Sequence, residues 1–193
     1  QFAEYLSIGL VKKGWQVWVY TSNSNSFKGK EYNSVKLIHC PDPEKYVGPF
    51  GQFIYDLNCI IDSRKRKFDI ILQLGYTSSA IWNWLFDIKA VLVTNTDGLE
   101  WKRSKYHPLV QKFLKYSEKI VIQKSDYLIS DSKSIQAYTK RKYGKNSTFI
   151  PYGANPFKNP NKIALQKYNL KPHRYYLVIS RLQPDNNIEM IIR

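Results

Sequence analysis

The sequence predicts an α/β fold built on a doubly wound parallel sheet, and three observations carry that expectation. The runs Ile70-Ile71-Leu72, Ala90-Val91-Leu92-Val93 and Tyr176-Leu177-Val178-Ile179 are apolar at consecutive positions. A strand with one wet face would alternate instead, so these runs read as strands covered on both faces, as in parallel sheets. Segments with helical period fall between them, and a regular strand–helix alternation is the signature of right-handed βαβ units. The chain has 193 residues of which 43% are hydrophobic, enough for a buried core despite a net charge of +15, which excludes a disordered polyelectrolyte.

The elements follow in order. Phe2, Leu6, Leu10 and Val11 share one helical face, and Gly14 suits the left-handed stop of that helix. Strands are expected over 17–20 and 35–39, then a helix over 51–67 that buries Phe53, Ile54, Leu57, Ile60 and Ile61. Its basic end, Arg64 to Lys67, complements the helix dipole. Next come a strand over 69–74, a Trp-rich helix over 79–86 and a strand over 90–95. A long helix over 108–125 presents Leu109, Phe113, Tyr116 and Ile120 as its buried face, leaving its lysines outside. A strand over 127–130, a helix over 133–143 closed by Gly144, and a strand over 148–150 complete the first alternation. Residues 151–161 then hold three Pro and three Asn, the best linker in the chain. A short helix over 162–168, a strand over 175–180 and an apolar helical run from Ile188 to Ile192 begin a second alternation. The chain opens and closes within elements, so the sequence reads as a piece of a larger protein.

Composition excludes several classes. Nine Gly and nine Pro without a period are not collagenous or low-complexity. Cys40 and Cys59 are too few for a disulfide framework, which points to a reducing compartment. No apolar run approaches the roughly 20 residues that span a bilayer, and no secretory leader is visible. His39, His107 and His173 are scattered and no Asp-x-Asp pair occurs, so no metal site is expected.

In open parallel sheets ligands bind outside the carboxyl ends of the strands. Those ends are Gly75-Tyr76-Thr77, Asn95-Thr96-Asp97-Gly98, Ser130-Asp131-Ser132, Tyr152-Gly153 and Ser180-Arg181, where polar residues and glycines appear abruptly. Asp131 and Ser132 equally suit a helix N-cap, and Gly153 a linker turn. The segment DGLEWKR, Asp97 to Arg103, is the densest in chemistry. Asp97 and Glu100 offer carboxylates that can act as a base or bind a polyol, and Lys102 and Arg103 can meet phosphate. Trp101 offers a platform for a sugar face, or fills a gap between loop and core.

The pieces LVKKGWQVWVYT, NTDGLEWKR, ISDSKSIQAY, IPYGAN and SRLQPDNNIE, in that order, resemble the bacterial rhamnosyltransferase-type branch of glycosyltransferase family 4. The resemblance implies the GT-B arrangement of two Rossmann-like domains. Residues 1–152 would be most of the acceptor-side domain, lacking its first strand and glycine-rich loop. Residues 153–193 would be a linker and the beginning of the nucleotide-sugar domain. Asp97 stands where many relatives have an active-site His, with Glu100 beside it as the second catalytic carboxylate. The strand ends, the DGLEWKR segment and the IPYGAN piece give Gly75, Tyr76, Thr96, Gly98, Trp101, Lys102, Arg103, Ser132, Tyr152, Gly153 and Asn155 as the expected substrate contacts. Arg181 matches the arginine that binds the donor diphosphate, a role suited to a permanently charged guanidinium fork. Asn186 and Asn187 replace the Lys and Gly that usually follow it, leaving hydrogen bonds but no further cation there. The family's glutamate pair would lie beyond Arg193, so this stretch alone is expected to be inactive. The implied reaction moves L-rhamnose from a thymidine-diphosphate donor, with retention and without metal or cofactor, to a lipid-linked oligosaccharide or a polysaccharide, in cell-surface polysaccharide synthesis. A GT-B-type sugar-nucleotide epimerase, or a non-enzymatic basic α/β module, are the alternatives.

Between Lys102 and Lys124 seven basic residues face one acid, Glu118, interleaved with Trp101, Tyr106, Phe113 and Tyr116. Such a surface suits anionic lipid headgroups, which would place the protein on the inner face of the cytoplasmic membrane. Nucleic acid is the rival partner, but no helix-turn-helix, ribonucleoprotein or zinc-finger pattern accompanies the charge. A generally lysine-rich surface is the third reading.

Overall fold

Four short apolar segments align side by side in one direction to form the larger sheet of the computed structural model, which describes residues 2–154, 156, 163–183 and 186–193. In chain order the elements are α1 (Phe2–Lys12), β1 (Trp18–Ser22), β2 (Glu31–Tyr32), β3 (Val35–Cys40), α2 (Glu44–Val47), α3 (Gly51–Arg66), β4 (Ile70–Gln73) and β5 (Val91–Asn95). Then follow α4 (Pro108–Lys124), β6 (Tyr127–Ser130), α5 (Lys133–Tyr143), β7 (Thr148–Phe149), α6 (Ile163–Gln166) and α7 (Ile188–Ile192). The larger sheet runs β4-β5-β6-β7, all parallel, with Ile70 opposite Val91, Val93 opposite Tyr127 and Ile129 opposite Thr148. Helices connect its strands, as the alternation of the sequence requires.

The remaining strands form a second sheet, β1-β3-β2, in which β1 and β3 are parallel and the two-residue β2 is antiparallel. The expected succession of parallel strands is therefore realised as two sheets, with β1 and β4 each paired on one side only among the described residues. Ile70 and Leu72 of β4 are consequently 44% and 36% exposed, although their composition predicts burial on both faces. Phe68, at the root of β4, bridges the two sheets, its ring 6.1 Å from Trp18 and 6.4 Å from Tyr20 of β1.

Caps legible in the sequence fix the helices that carry the site. Pro108 begins α4 behind His107, whose Nδ1 accepts from the Leu109 amide. Ser132 caps α5 by accepting from the Ile135 amide at 3.2 Å, and Gly144 ends it at φ +68°, a conformation that glycine adopts without strain.

Three expectations are corrected. First, α4 is rotated: Leu114, Ser117, Glu118, Val121 and Ile122 face the core, while Leu109 and Tyr116 are 68% and 60% exposed. The true face has the i, i+3, i+4, i+7, i+8 spacing of a buried stripe, but two of its five residues are polar, which hides it. In α3 likewise only Ile60 of the predicted stripe is fully buried, and Ile54 and Ile61 are exposed. Second, the Trp-rich helix expected over 79–86 is present over Ser79–Leu85 but is of the tighter 3-10 type. Third, Tyr175 to Ser180 is not a strand, and Tyr176 and Ile179 lie open to solvent. No strand among the described residues lies beside it, and β structure needs a neighbour to satisfy its backbone groups.

Candidate active site at the carboxyl edge of the larger sheet

Parallel strands bring the ends of β5, β6 and β7 to one edge. Asn95, the last residue of β5, is 4% exposed, and its Nδ2 donates to the Tyr152 hydroxyl at 3.4 Å. Tyr152 stands edge-on to Phe2, ring centroids 4.8 Å apart. Its hydroxyl pKa is raised, first by burial, then by the charge of Asp97 and more weakly that of Asp131, against the lowering effect of the Asn95 hydrogen bond. Asn95, Asp97 and Asp131 are thus all within electrostatic reach of the Tyr152 hydroxyl. Asp97 leaves the strand at φ +44°, in the left-handed region that Asp tolerates better than most residues, and its amide donates to Asn95 Oδ1 at 3.3 Å. No ion pair engages the Asp97 carboxylate among the described residues.

The loop that follows is pinned to α4. Glu100 Oε1 and Arg103 Nη2 pair at 2.8 Å across a 3-10 turn, and Gln111 Nε2 donates to the Arg103 carbonyl at 3.0 Å. Trp101 Nε1 donates to Glu118 Oε2 at 3.0 Å. Glu118 is 2% exposed, and its other oxygen accepts from Tyr138 at 2.7 Å, Tyr143 at 2.5 Å and Lys142 at 3.0 Å, all on α5. The Tyr143 hydroxyl pKa is raised by burial and by donation to Glu118. Burial alone would lower that of Lys142, but its hydrogen bonds to Tyr138, Tyr143 and Glu118 outweigh this, so the ammonium is held charged. The ammonium groups of Lys115, Lys142 and Lys102 lie 4.9, 5.2 and 5.5 Å from the Trp101 ring centroid.

A second polar cluster lies behind the end of β4. The Ser78 hydroxyl donates to Asp56 Oδ2 at 2.5 Å and Gln52 Nε2 to Oδ1 at 3.2 Å. Burial raises the Asp56 pKa although both hydrogen bonds favour the carboxylate.

Several residues expected to touch substrate have partners within the fold. Tyr76 is 5% exposed and packs with Ala80 and Val121. Thr96 is buried, and both its amide and its hydroxyl donate to the Ile129 carbonyl. Ser132 is the α5 cap, as its alternative reading held. Trp101 has its edge held by Glu118 and lysines around its ring, so it anchors the loop and is not an open platform. Glu100 is committed to Arg103. Gly75, Gly98 and Gly153 remain open, with no atom within 4 Å of where a Cβ would stand. Asn155 lies outside the described residues. Arg181 is exposed, and its carbonyl accepts from Asn186 Nδ2 at 2.7 Å, which brings these two together; Asn187 follows at φ +47°. Glu118, Tyr138, Lys142 and Tyr143 were not legible as parts of the site's support. Their one sequence signal is that Glu118 is the sole acid in a basic helix.

The sequence matches the domain of unknown function DUF1972 over residues 21–155, which is 135 of its 193 residues. The chain belongs to the DUF1972 family. No curated protein matches the sequence of this DUF1972 chain. Among solved structures it is similar to a sucrose-phosphate synthase from Thermosynechococcus elongatus, at 17% identity and a TM-score of 0.54, covering 87% of this chain and 91% of that one. The likeness is one of fold: the DUF1972 chain has the Rossmann-like architecture of a GT-B glycosyltransferase domain.

Proposed function

We propose that the DUF1972 chain is the acceptor-side part of a GT-B glycosyltransferase, which moves a sugar from a nucleotide-diphosphate donor to an acceptor hydroxyl. The observation that carries this reading is Asp97: a carboxylate outside any described ion pair, in a left-handed turn at the carboxyl end of a central parallel strand, beside Asn95 and Tyr152. In the reaction the bond from the sugar's anomeric carbon to phosphate breaks and a bond to the acceptor oxygen forms. Asp97 accepts the hydrogen bond of that hydroxyl and assists departure of its proton, while Tyr152, held by Asn95, orients the acceptor. Glu100 serves by holding Arg103 rather than by proton transfer. Gly75, Gly98 and Gly153 leave room for close approach of substrate.

The finer assignment rests on the sequence resemblance. It makes residues 153–193 the entry to the donor domain, with Arg181, Asn186 and Asn187 at the donor diphosphate and no metal or cofactor required. It makes L-rhamnose from a thymidine-diphosphate donor the transferred sugar and a lipid-linked oligosaccharide the acceptor. Peripheral docking on the anionic inner face of the cytoplasmic membrane is supported by the outward face of α4, where Leu109, Lys112, Tyr116 and Lys119 share one exposed stripe. Among the described residues no helix is long and apolar enough to cross a membrane. Incubating the full-length protein that carries this sequence with a panel of nucleotide sugars and a polyprenyl-diphosphate-linked saccharide tests the proposal. Transfer from one donor supports it; epimerisation of a donor with no transfer to any acceptor overturns it.

A further inference from the structure

We infer that Glu118 is a positioning residue for the Asp97–Arg103 loop, acting through the Trp101 indole; this rests on the reading that the loop faces substrate. A carboxylate 2% exposed on a helix whose other charged residues are all basic and outward needs a reason to be there. Its four donors provide one. Oε2 holds the loop through Trp101, while Oε1 gathers Tyr138, Tyr143 and Lys142 of α5. A single side chain thus ties the loop after β5 to the helix after β6, the two segments that flank Asp97 and Asp131.

The geometry also explains the lysines. Lys102, Lys115 and Lys142 would repel one another around one indole, and Glu118 beneath the ring edge is the only acid among these partners. Removing its charge loosens the indole and the cations together, and the loop that holds the 3-10 turn over Glu100–Lys102 keeps only the Gln111–Arg103 tie to α4. Buried hydrogen-bond networks of this kind fix one arrangement because a partly satisfied network is costly.

The test is indole nuclear magnetic resonance on the full-length protein, with the Trp101 Nε1–H signal identified by its loss in Trp101→Phe. In Glu118→Gln the Trp101 indole proton is expected to exchange with solvent at least tenfold faster than in the wild type, while those of Trp18 and Trp82 keep their rates. The double variant Tyr138→Phe/Tyr143→Phe, which retains Glu118, should accelerate the same proton by a smaller factor and serves if Glu118→Gln does not fold. An unchanged Trp101 rate, or equal acceleration at all three indoles, overturns the inference. A second arm titrates farnesyl diphosphate, a short polyprenyl diphosphate, and follows the amides of residues 97–103. Affinity should fall at least fivefold in Glu118→Gln, and equal affinity overturns the positioning role. Absence of any shift at these amides in the wild type removes the substrate-facing reading instead, whatever the exchange rates show.

Discussion

The Tyr20 hydroxyl on β1 donates to Asp62 Oδ2 on α3 at 2.8 Å, across 42 residues of chain. The same carboxylate receives Arg66 Nε one helical turn away at 2.5 Å. The first contact fastens the smaller sheet to the helix that leads into the larger one, and the second, within α3, holds the carboxylate in place for it. Tyr20→Phe should therefore lower unfolding free energy by about 1.5 kcal/mol, the lower end of the range for a hydrogen bond to a charged acceptor, because Asp62 is partly exposed. Urea denaturation measures it, and a midpoint equal to wild type would show the contact to be idle.

Asp62 also sets an acid limb. The Arg66 hydrogen bond holds its pKa below the ordinary carboxylate value against the opposing effect of burial, and the Tyr20 hydrogen bond adds a smaller lowering. A group with a lowered folded pKa binds fewer protons when folded than when unfolded. Its stabilisation is present above the ordinary Asp value near 4 and is lost as pH falls through the folded pKa. Asp62→Asn should flatten the decline in stability below about pH 4, seen as a smaller change in urea midpoint between pH 5 and pH 3.

Asp56 predicts the opposite sign. Burial raises its pKa, so the folded chain holds that proton more tightly and stability falls as pH rises from the ordinary Asp value through the folded one. Asp56→Asn keeps an acceptor for Ser78 while removing the titration, so this variant should lose the downward slope just above about pH 4. Parallel slopes in variant and wild type would sink the assignment.

At Asp97 shape and chemistry can be separated. Its φ of +44° suits Asp and Asn and strains β-carbon residues that lack a short polar side chain. Asp97→Asn should keep stability within about 0.5 kcal/mol and Asp97→Ala lose about 1 kcal/mol. If Asp97 is the proton acceptor, Asp97→Asn slows sugar transfer at least a hundredfold, in the range of general-base removal, with donor affinity unchanged. Full turnover in Asp97→Asn would make the residue structural.

The strands after β3, the caps Ser132 and Gly144, and the crowding of polar residues at strand ends were legible because each depends on local sequence. What was not legible depends on neighbours. The α4 sequence contains two stripes at helical spacing, and the more apolar one, Leu109-Phe113-Tyr116-Ile120, is the more exposed. The other carries Ser117 and Glu118, and the Glu118 carboxylate becomes a core group because α5 and Trp101 supply donors for it. Tyr76 and Thr96 follow the same logic, since a polar residue at a strand end reads alike whether it points to solvent or into the packing. The Tyr175–Ser180 run has strand composition but no pairing partner among the described residues, and composition does not supply one.

The rotation of α4 yields the last prediction. Leu109, Lys112, Tyr116 and Lys119 recur at spacings of three and four residues, so they share a face, and all four are exposed. Alternating apolar and cationic side chains suit the lipid boundary, where Leu and Tyr enter the headgroup layer and lysine stems snorkel to phosphate. Each lysine contributes about 1 kcal/mol at an anionic surface, roughly a fivefold change in partition coefficient. Lys112→Gln/Lys119→Gln should therefore weaken sedimentation with vesicles containing phosphatidylglycerol by about twenty-five-fold, and Leu109→Ser/Tyr116→Ser should weaken it at low and high salt alike. Raising salt should release the wild type and leave little further to lose in the lysine variant, since both act on the same screened term. Equal binding to neutral and anionic vesicles, unaffected by salt, would mean that the lysines of α4 face water for solubility alone.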